Sequence, residues 1–281
     1  MKTADFTPNN ENHAMELTIL TWNTLFAGRD DADDCRARAQ AQLINELKPD
    51  VFLMQEAKGF DANGGAWLYA LEQQIGMRGF LAIAPRTGQN IAIFIRAPLQ
   101  PLSFEADSVH FHHTLATLKV ALPGSDQPIT FISAHLCPNG PDVRRREAAY
   151  LAVHAAPEKR TLITGDFNSA SPHDPEPEDW AILAPHHRAR YLADDLKGID
   201  RSVLAHLEAA GWVDLGHQLD AATVPTVPTP AYRDAEFATM RCDYLLASRA
   251  LAASARSCQV IRNDITDAAS DHYPVIATFE V

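Results

Sequence analysis

The four cysteines, Cys35, Cys137, Cys242 and Cys258, are scattered, and no two form a Cys-x-x-Cys pair. That spacing argues against a disulfide framework and reads as reduced thiols in a cytoplasmic protein. No apolar stretch is long enough to span a bilayer, so no membrane insertion is expected. Residues 1–15 are polar and lack an apolar h-region; they read as a mobile tail, not a secretory signal. Basic residues are in deficit, 24 Lys and Arg against 36 Asp and Glu, for a net charge of −12. Such a surface has no general attraction for nucleic acid or anionic lipid. A nuclease stays compatible with it, because bound metal and a local basic patch override the global field. No linker, repeat or low-complexity tract divides the 281 residues, so residues 16–281 read as one domain.

Apolar residues make up 46% of the chain, enough for a sizeable core. Short β-rich apolar runs at 17–22, 51–54, 80–83, 91–96, 114–122, 129–136 and 161–164 read as strands. Runs at 241–248, 255–261 and 274–281 read as the closing strands. Cys35, Ala39, Leu43 and Leu47 recur every four residues and predict a helix ending before Pro49. Residues 66–75, 142–153 and 201–210 also read as helical. Strand pairs and helices alternate along both halves, which predicts an α/β sandwich and not an all-parallel sheet. Residues 169–190 are rich in Pro, His and acids and read as a long surface insertion, which extends to about residue 200.

Four strings end or follow apolar runs: Thr21-Trp22-Asn23, Gln55-Glu56, Gly165-Asp166-Phe167-Asn168 and Ser270-Asp271-His272. Together they suit a hard metal ion and a phosphate ester. Glu56 at a strand end is placed to bind a divalent ion, or is an ordinary solvated glutamate. Asn23 offers an amide oxygen to metal and an amide nitrogen to phosphate, or is a turn asparagine. After the turn at Gly165, Asp166 and Asn168 face one way; Asp166 orients water or protonates a leaving oxygen while Asn168 donates to phosphate. The competing reading is an Asx-turn. His272 is the natural base or charge-stabilising imidazolium, and Asp271 beside it binds metal or tunes the ring. Asp243, in an otherwise apolar run, needs a partner: His272 as a His-Asp pair, or Arg241 as a salt bridge. His135 ends another run and contacts phosphate, shuttles a proton or caps a loop. In Arg144-Arg145-Arg146 most of the run reads as a solvated helix face, with one arginine, Arg144, reaching substrate. His173, His186 and His187 lack metal-ligand spacing and read as surface residues.

In this order the strings resemble the endonuclease/exonuclease/phosphatase superfamily, over nearly the whole chain from about Leu17 to Val281. The resemblance implies a four-layer α/β sandwich, two mixed and mostly antiparallel sheets packed face to face with helices outside. It implies one catalytic Mg²⁺ or Mn²⁺ held by Glu56, with Asn23 and Asp271 nearby. Asp166 is then the water-positioning carboxylate and Asn168 the phosphate-orienting amide. His272 is the phosphate-polarising histidine and Asp243 its carboxylate partner. His135, in Ser133-Ala134-His135-Leu136, resembles the sphingomyelinase, phosphatase and deoxyribonuclease I branches, where AP endonucleases carry tyrosine. Lys58 and the string 241–248 are similar to AP endonucleases, whereas the tryptophan they carry before that string is missing. The expected activity is hydrolysis of a small phosphorylated metabolite, nucleotide or lipid head group, with a DNA or RNA nuclease as the alternative. A binding module that kept the fold without catalysis is the rival of another class.

Overall fold

The computed structural model describes residues 15–31, 33–219, 224–233 and 236–281. The expected tail, apart from Met15, lies outside the described residues. Twelve strands are described: β1 (Glu16–Asn23), β2 (Val51–Gln55), β3 (Arg78–Ala82), β4 (Ile91–Ile95), β5 (Gln100–Asp107), β6 (Leu115–Ala121), β7 (Ile129–His135), β8 (Thr161–Asp166), β9 (Val213–Asp214), β10 (Asp243–Ala247), β11 (Ala255–Val260) and β12 (Val275–Glu280). They form two six-stranded sheets, ordered β11-β12-β1-β2-β4-β3 and β5-β6-β7-β8-β10-β9. Neighbours are antiparallel except at one central pair in each sheet, β1 with β2 and β7 with β8.

Side-chain alternation explains the layering. In β1, Leu17 and Ile19 point between the sheets, where they meet Leu53, Ile93, Leu118, Phe131, Leu162 and Leu245. Leu20 and Trp22 point the other way, with Phe52, Met54 and Phe94, and are covered by α1 (Cys35–Leu47) and α2 (Ala66–Ile75). On the far side, Ile132, Ile163 and Leu246 are covered by α3 (Pro141–Ala152) and α5 (Ser202–Ala209); a short α4 (Pro185–Arg188) lies between these helices in the chain. Central strands are therefore buried on both faces, which is why they read as unbroken apolar runs. Each fully buried Leu, Ile or Phe side chain contributes about 1.5–3 kcal/mol of transfer free energy. The result is the four-layer α/β sandwich.

Three expectations need correction. An edge strand, β5, was absent from the sequence reading; its side chains are largely exposed and it contains Pro101, so it carries little apolar pattern. Asp243 opens β10 instead of lying inside the strand, with Arg241 and Cys242 outside it. The insertion at 169–200 is not simply a surface segment: Trp180, Tyr191 and Ile199 pack on Val227, Ala238, Met240 and Cys242 in a small core of their own. Its apolar residues are spaced irregularly among prolines and acids, so no periodicity announces them. Among the described residues no helix is long and apolar enough to cross a membrane.

Candidate active site

The parallel pairs carry the site. In β1 and β2, Asn23 lies opposite Gln55; in β7 and β8, His135 lies opposite Asp166. All four sit at C-terminal strand ends, and the two ends meet across the sandwich. Asn23 Nδ2 donates to Asp166 Oδ2 at 3.1 Å and to Glu56 Oε1 at 3.2 Å. Behind them Gln55 Nε2 donates to Ser133 Oγ at 2.9 Å, a second buried bond between the sheets. Glu56 and Asn168 leave their strands with left-handed backbones, φ 60° and 47°. Such conformations cost energy in non-glycine residues and turn each side chain off the strand into the cleft.

Asp166 is the hub. Its Oδ1 accepts from the Asn168 backbone N–H at 2.8 Å, and its Oδ2 lies 3.4 Å from His135 Nε2 and 3.6 Å from His272 Nε2. Asn168 is anchored in turn by Nδ2 donating to the Leu136 carbonyl at 3.0 Å. His272 Nδ1 and Asp243 Oδ2 are 2.9 Å apart and buried. Arg241 is instead paired with Asp214 at 2.7 Å and Asp174 at 3.0 Å, so Asp243 belongs to the histidine. Trp22 Nε1 donates to the His272 carbonyl at 2.9 Å and fixes that segment against β1.

The two histidines differ electrostatically. Burial opposes charge on His272, yet the carboxylates of Asp243, Asp166 and Asp271 outweigh it and hold its pKa well above the ordinary value. Burial and the charge of His272 push His135 down to about 3, so it is neutral. Burial, then the charge of Asp271, raises Glu56 to about 7. A cleft floor where burial and an adjacent carboxylate resist ionisation fits a divalent cation, and the oxygen donors Glu56, Asp271 and the Asn23 amide suit a hard ion. Ligand atoms of Asp166, Asp243 and His272 also lie within 4.8 Å of one another. There the Nδ1 bond to Asp243 already occupies one imidazole nitrogen, which suits proton handling better than metal ligation.

Around these groups opens a cleft of about 490 Å³ lined by Asn23, Glu56, His135, Asp166, Asn168, Asp271 and His272. One expected contact is not brought there. Arg144 is fully buried, with Nη1 on the Cys137 carbonyl at 3.0 Å and Nη2 on the Arg190 carbonyl at 2.8 Å. The face of α3 that carries it turns inward, so Nη1 and Nη2 are used by backbone carbonyls, while Nε is buried without a partner among the described residues. Gln89, His113, Arg190, Glu236 and Phe237 also line the cleft without a clear signal in the sequence, and His187, expected at the surface, lines it too. His113 is buried and stacks on His135 with ring centroids 4.3 Å apart; only its place in the His112-His113 doublet hinted at it. Phe237 meets the His272 ring edge to face at 5.3 Å.

Two facing sheets that deliver an oxygen-rich pocket and a buried carboxylate–imidazole pair to one rim define a phosphoesterase-type scaffold. The fold is shared with an AP endonuclease from Archaeoglobus fulgidus, at a TM-score of 0.68 and 20% identity over 94% of this chain and 100% of that one. It is shared with the mannosyl-6-phosphatase of Bacteroides thetaiotaomicron, at 0.64 and 15% over 93% and 98%. The human nocturnin catalytic domain also matches, at 0.64 and 14% over 95% and 93%. No curated protein matches the sequence. The model of the Endonuclease/Exonuclease/phosphatase family matches residues 20–272, and the chain belongs to that family. Its members are hydrolases of phosphoester bonds and commonly use divalent metals.

Proposed function

We propose that this protein is a metal-dependent phosphoric-ester hydrolase acting on a small phosphorylated molecule. The observation that carries this reading is the convergence, from both sheets, of Asn23, Glu56, Asp166, Asn168 and His272 on one cleft, with Asp243 buried behind the histidine. Glu56, Asp271 and the Asn23 oxygen would hold Mg²⁺ or Mn²⁺, which supplies charge neutralisation at the phosphoryl and leaving oxygens. Asp166 orients a water and takes its proton as the water oxygen attacks phosphorus; the ester P–O bond breaks, its electron pair leaving with the ester oxygen, which takes a proton from solvent. Asn168 and the His272 imidazolium hold the phosphoryl oxygens, and Asp243 keeps that imidazolium charged and oriented. His135, being neutral, is a phosphate contact and not the leaving-group acid.

The charge of the cleft favours a small substrate. The cleft is lined by Glu56, Asp166, Glu236 and Asp271 and has a single Lys or Arg among the described lining residues, which is poor ground for a polynucleotide track. Relatives acting on nucleic acid and on phosphorylated sugar leave the nuclease alternative to the assay. We take residues 16–281 as one unit with its insertion, and the location as cytoplasmic because all four cysteines are free. The test is Mg²⁺-dependent hydrolysis by wild type and Glu56→Ala on a phosphomonoester reporter, a phosphodiester reporter and plasmid DNA. We expect turnover of a small reporter and a loss of at least about 100-fold with the variant. Plasmid nicking that the variant abolishes would make it a nuclease. A fully active Glu56→Ala would remove the metal assignment, and silence on all three would favour the binding module.

A further inference from the structure

The one permanent cation among the described residues lining the cleft comes from the insertion. Arg190 follows α4, and its side chain is about one-fifth exposed. Its Nε donates to the Pro138 carbonyl at 3.0 Å, and Nη1 pairs with Glu236. Nη2 makes no hydrogen bond among the described residues and is not sealed from the surface. The backbone beneath it is unusually well fixed. Buried Arg144 holds the Arg190 carbonyl, and the next residue, Tyr191, is fully buried with its own carbonyl accepting from Asp200 N–H at 2.7 Å. A guanidinium held by Nε and Nη1, with Nη2 unbonded among the described residues, is pre-oriented, so little rotamer freedom is lost when it binds an anion. Its field reaches the reaction centre, since the Arg190 charge is one of those that keep His135 neutral.

We infer that Arg190 is the substrate-side cation of this site: its Nη2–H donates to an oxygen of the phosphoryl group that sits over Asp166 and Asn168. This rests on the phosphoesterase reading and deepens it, because it gives the insertion a part in the chemistry. Glu236 is then a restraint on the arginine and an opponent of the incoming anion, not a partner in binding. Arg144, which the sequence suggested as a substrate contact, is a positioning residue one step back.

The test is titration calorimetry of inorganic phosphate into the full chain with Mg²⁺ present, for wild type, Arg190→Gln and Glu236→Gln. Arg190→Gln is expected to bind phosphate about tenfold more weakly, the loss of one charge-assisted hydrogen bond. Glu236→Gln is expected to bind it as tightly as wild type or more tightly. A merely structural ion pair predicts the opposite pattern: both variants break it, so both would weaken alike, and that result overturns the inference. So does phosphate affinity unchanged in Arg190→Gln. If Arg190→Gln does not fold, Glu236→Gln decides alone, weaker binding being the overturning outcome. Phosphate binding without turnover of any ester would remove the hydrolase reading and leave the arginine's role standing. Ester turnover with equal phosphate affinity in wild type and Arg190→Gln would do the reverse.

Discussion

Two buried histidines flank one carboxylate, and their neighbours drive them to opposite charge states. His272 faces Asp243, Asp166 and Asp271 and stays protonated; His135 faces the His272 charge and stays neutral. Pushing two like groups apart in this way lets a single pocket offer a cation and a neutral ring at the same pH. The role of Asp243 follows. Asp243→Asn keeps the shape but removes the charge that raises His272, so the imidazolium is lost at lower pH. The alkaline limb of the rate profile should move down toward the ordinary histidine value near 6.5, and the rate at pH 8 should fall roughly ten- to a hundredfold. The loss should shrink on acidification, as the imidazolium returns. A profile merely scaled down, with its limb in place, would mean that Asp243 orients the ring and does not set its charge.

At the level of elements, the site depends on how β8 ends. Gly165 has φ +137°, and a Cβ there would lie 1.9 Å from the Ala134 carbonyl oxygen on β7. Gly165→Ala must therefore part the two central strands just before Asp166. We expect a loss of about 3 kcal/mol or more in urea unfolding and a displaced Asp166, with little activity left in the folded fraction. An alanine variant as stable as wild type would contradict this close approach. Strand ends were the legible part of the sequence. A carboxylate, amide or imidazole closing an apolar run is a local signal, and it marks Asn23, Glu56, His135, Asp166 and Asn168, which the fold brings to one cleft. Arg144 is misplaced by the sequence pattern, and Arg190 is not marked by it at all, because both placements are tertiary: which side of α3 faces inward, and how an irregular Pro-rich segment packs on Met240 and Cys242. Edge strand β5 was missed because an edge that faces water needs no apolar pattern.

Over the whole molecule, acidity and architecture meet at Glu56. The chain carries a net charge of −12, and the sandwich gathers Glu56, Asp166, Glu236 and Asp271 around one cleft. Without a cation, ionised Glu56 opposes folding. Burial and Asp271 raise the Glu56 pKa from 4.5 to about 7, so ionising it costs the folded state more than the unfolded one. Below pH 4.5 both states hold the proton and no penalty exists. Between pH 4.5 and about 7 the unfolded chain releases it first, and stability falls as pH rises; above about 7 the penalty is complete. Glu56→Gln removes that term, so in the absence of divalent metal the variant should melt above wild type at pH 8, and the gap should close towards pH 5. Mg²⁺ should raise the wild-type Tm at pH 8, because it binds the native cleft and not the unfolded chain, and should leave the variant's Tm nearly unmoved. Thermal melts of both proteins at pH 5 and pH 8, with Mg²⁺ or with EDTA, measure all of this. A wild type more stable than Glu56→Gln at pH 8 in EDTA would show that the Phe26 N–H and Asn23 bonds to this carboxylate outweigh its burial, and that the cleft does not need a cation to be tolerated.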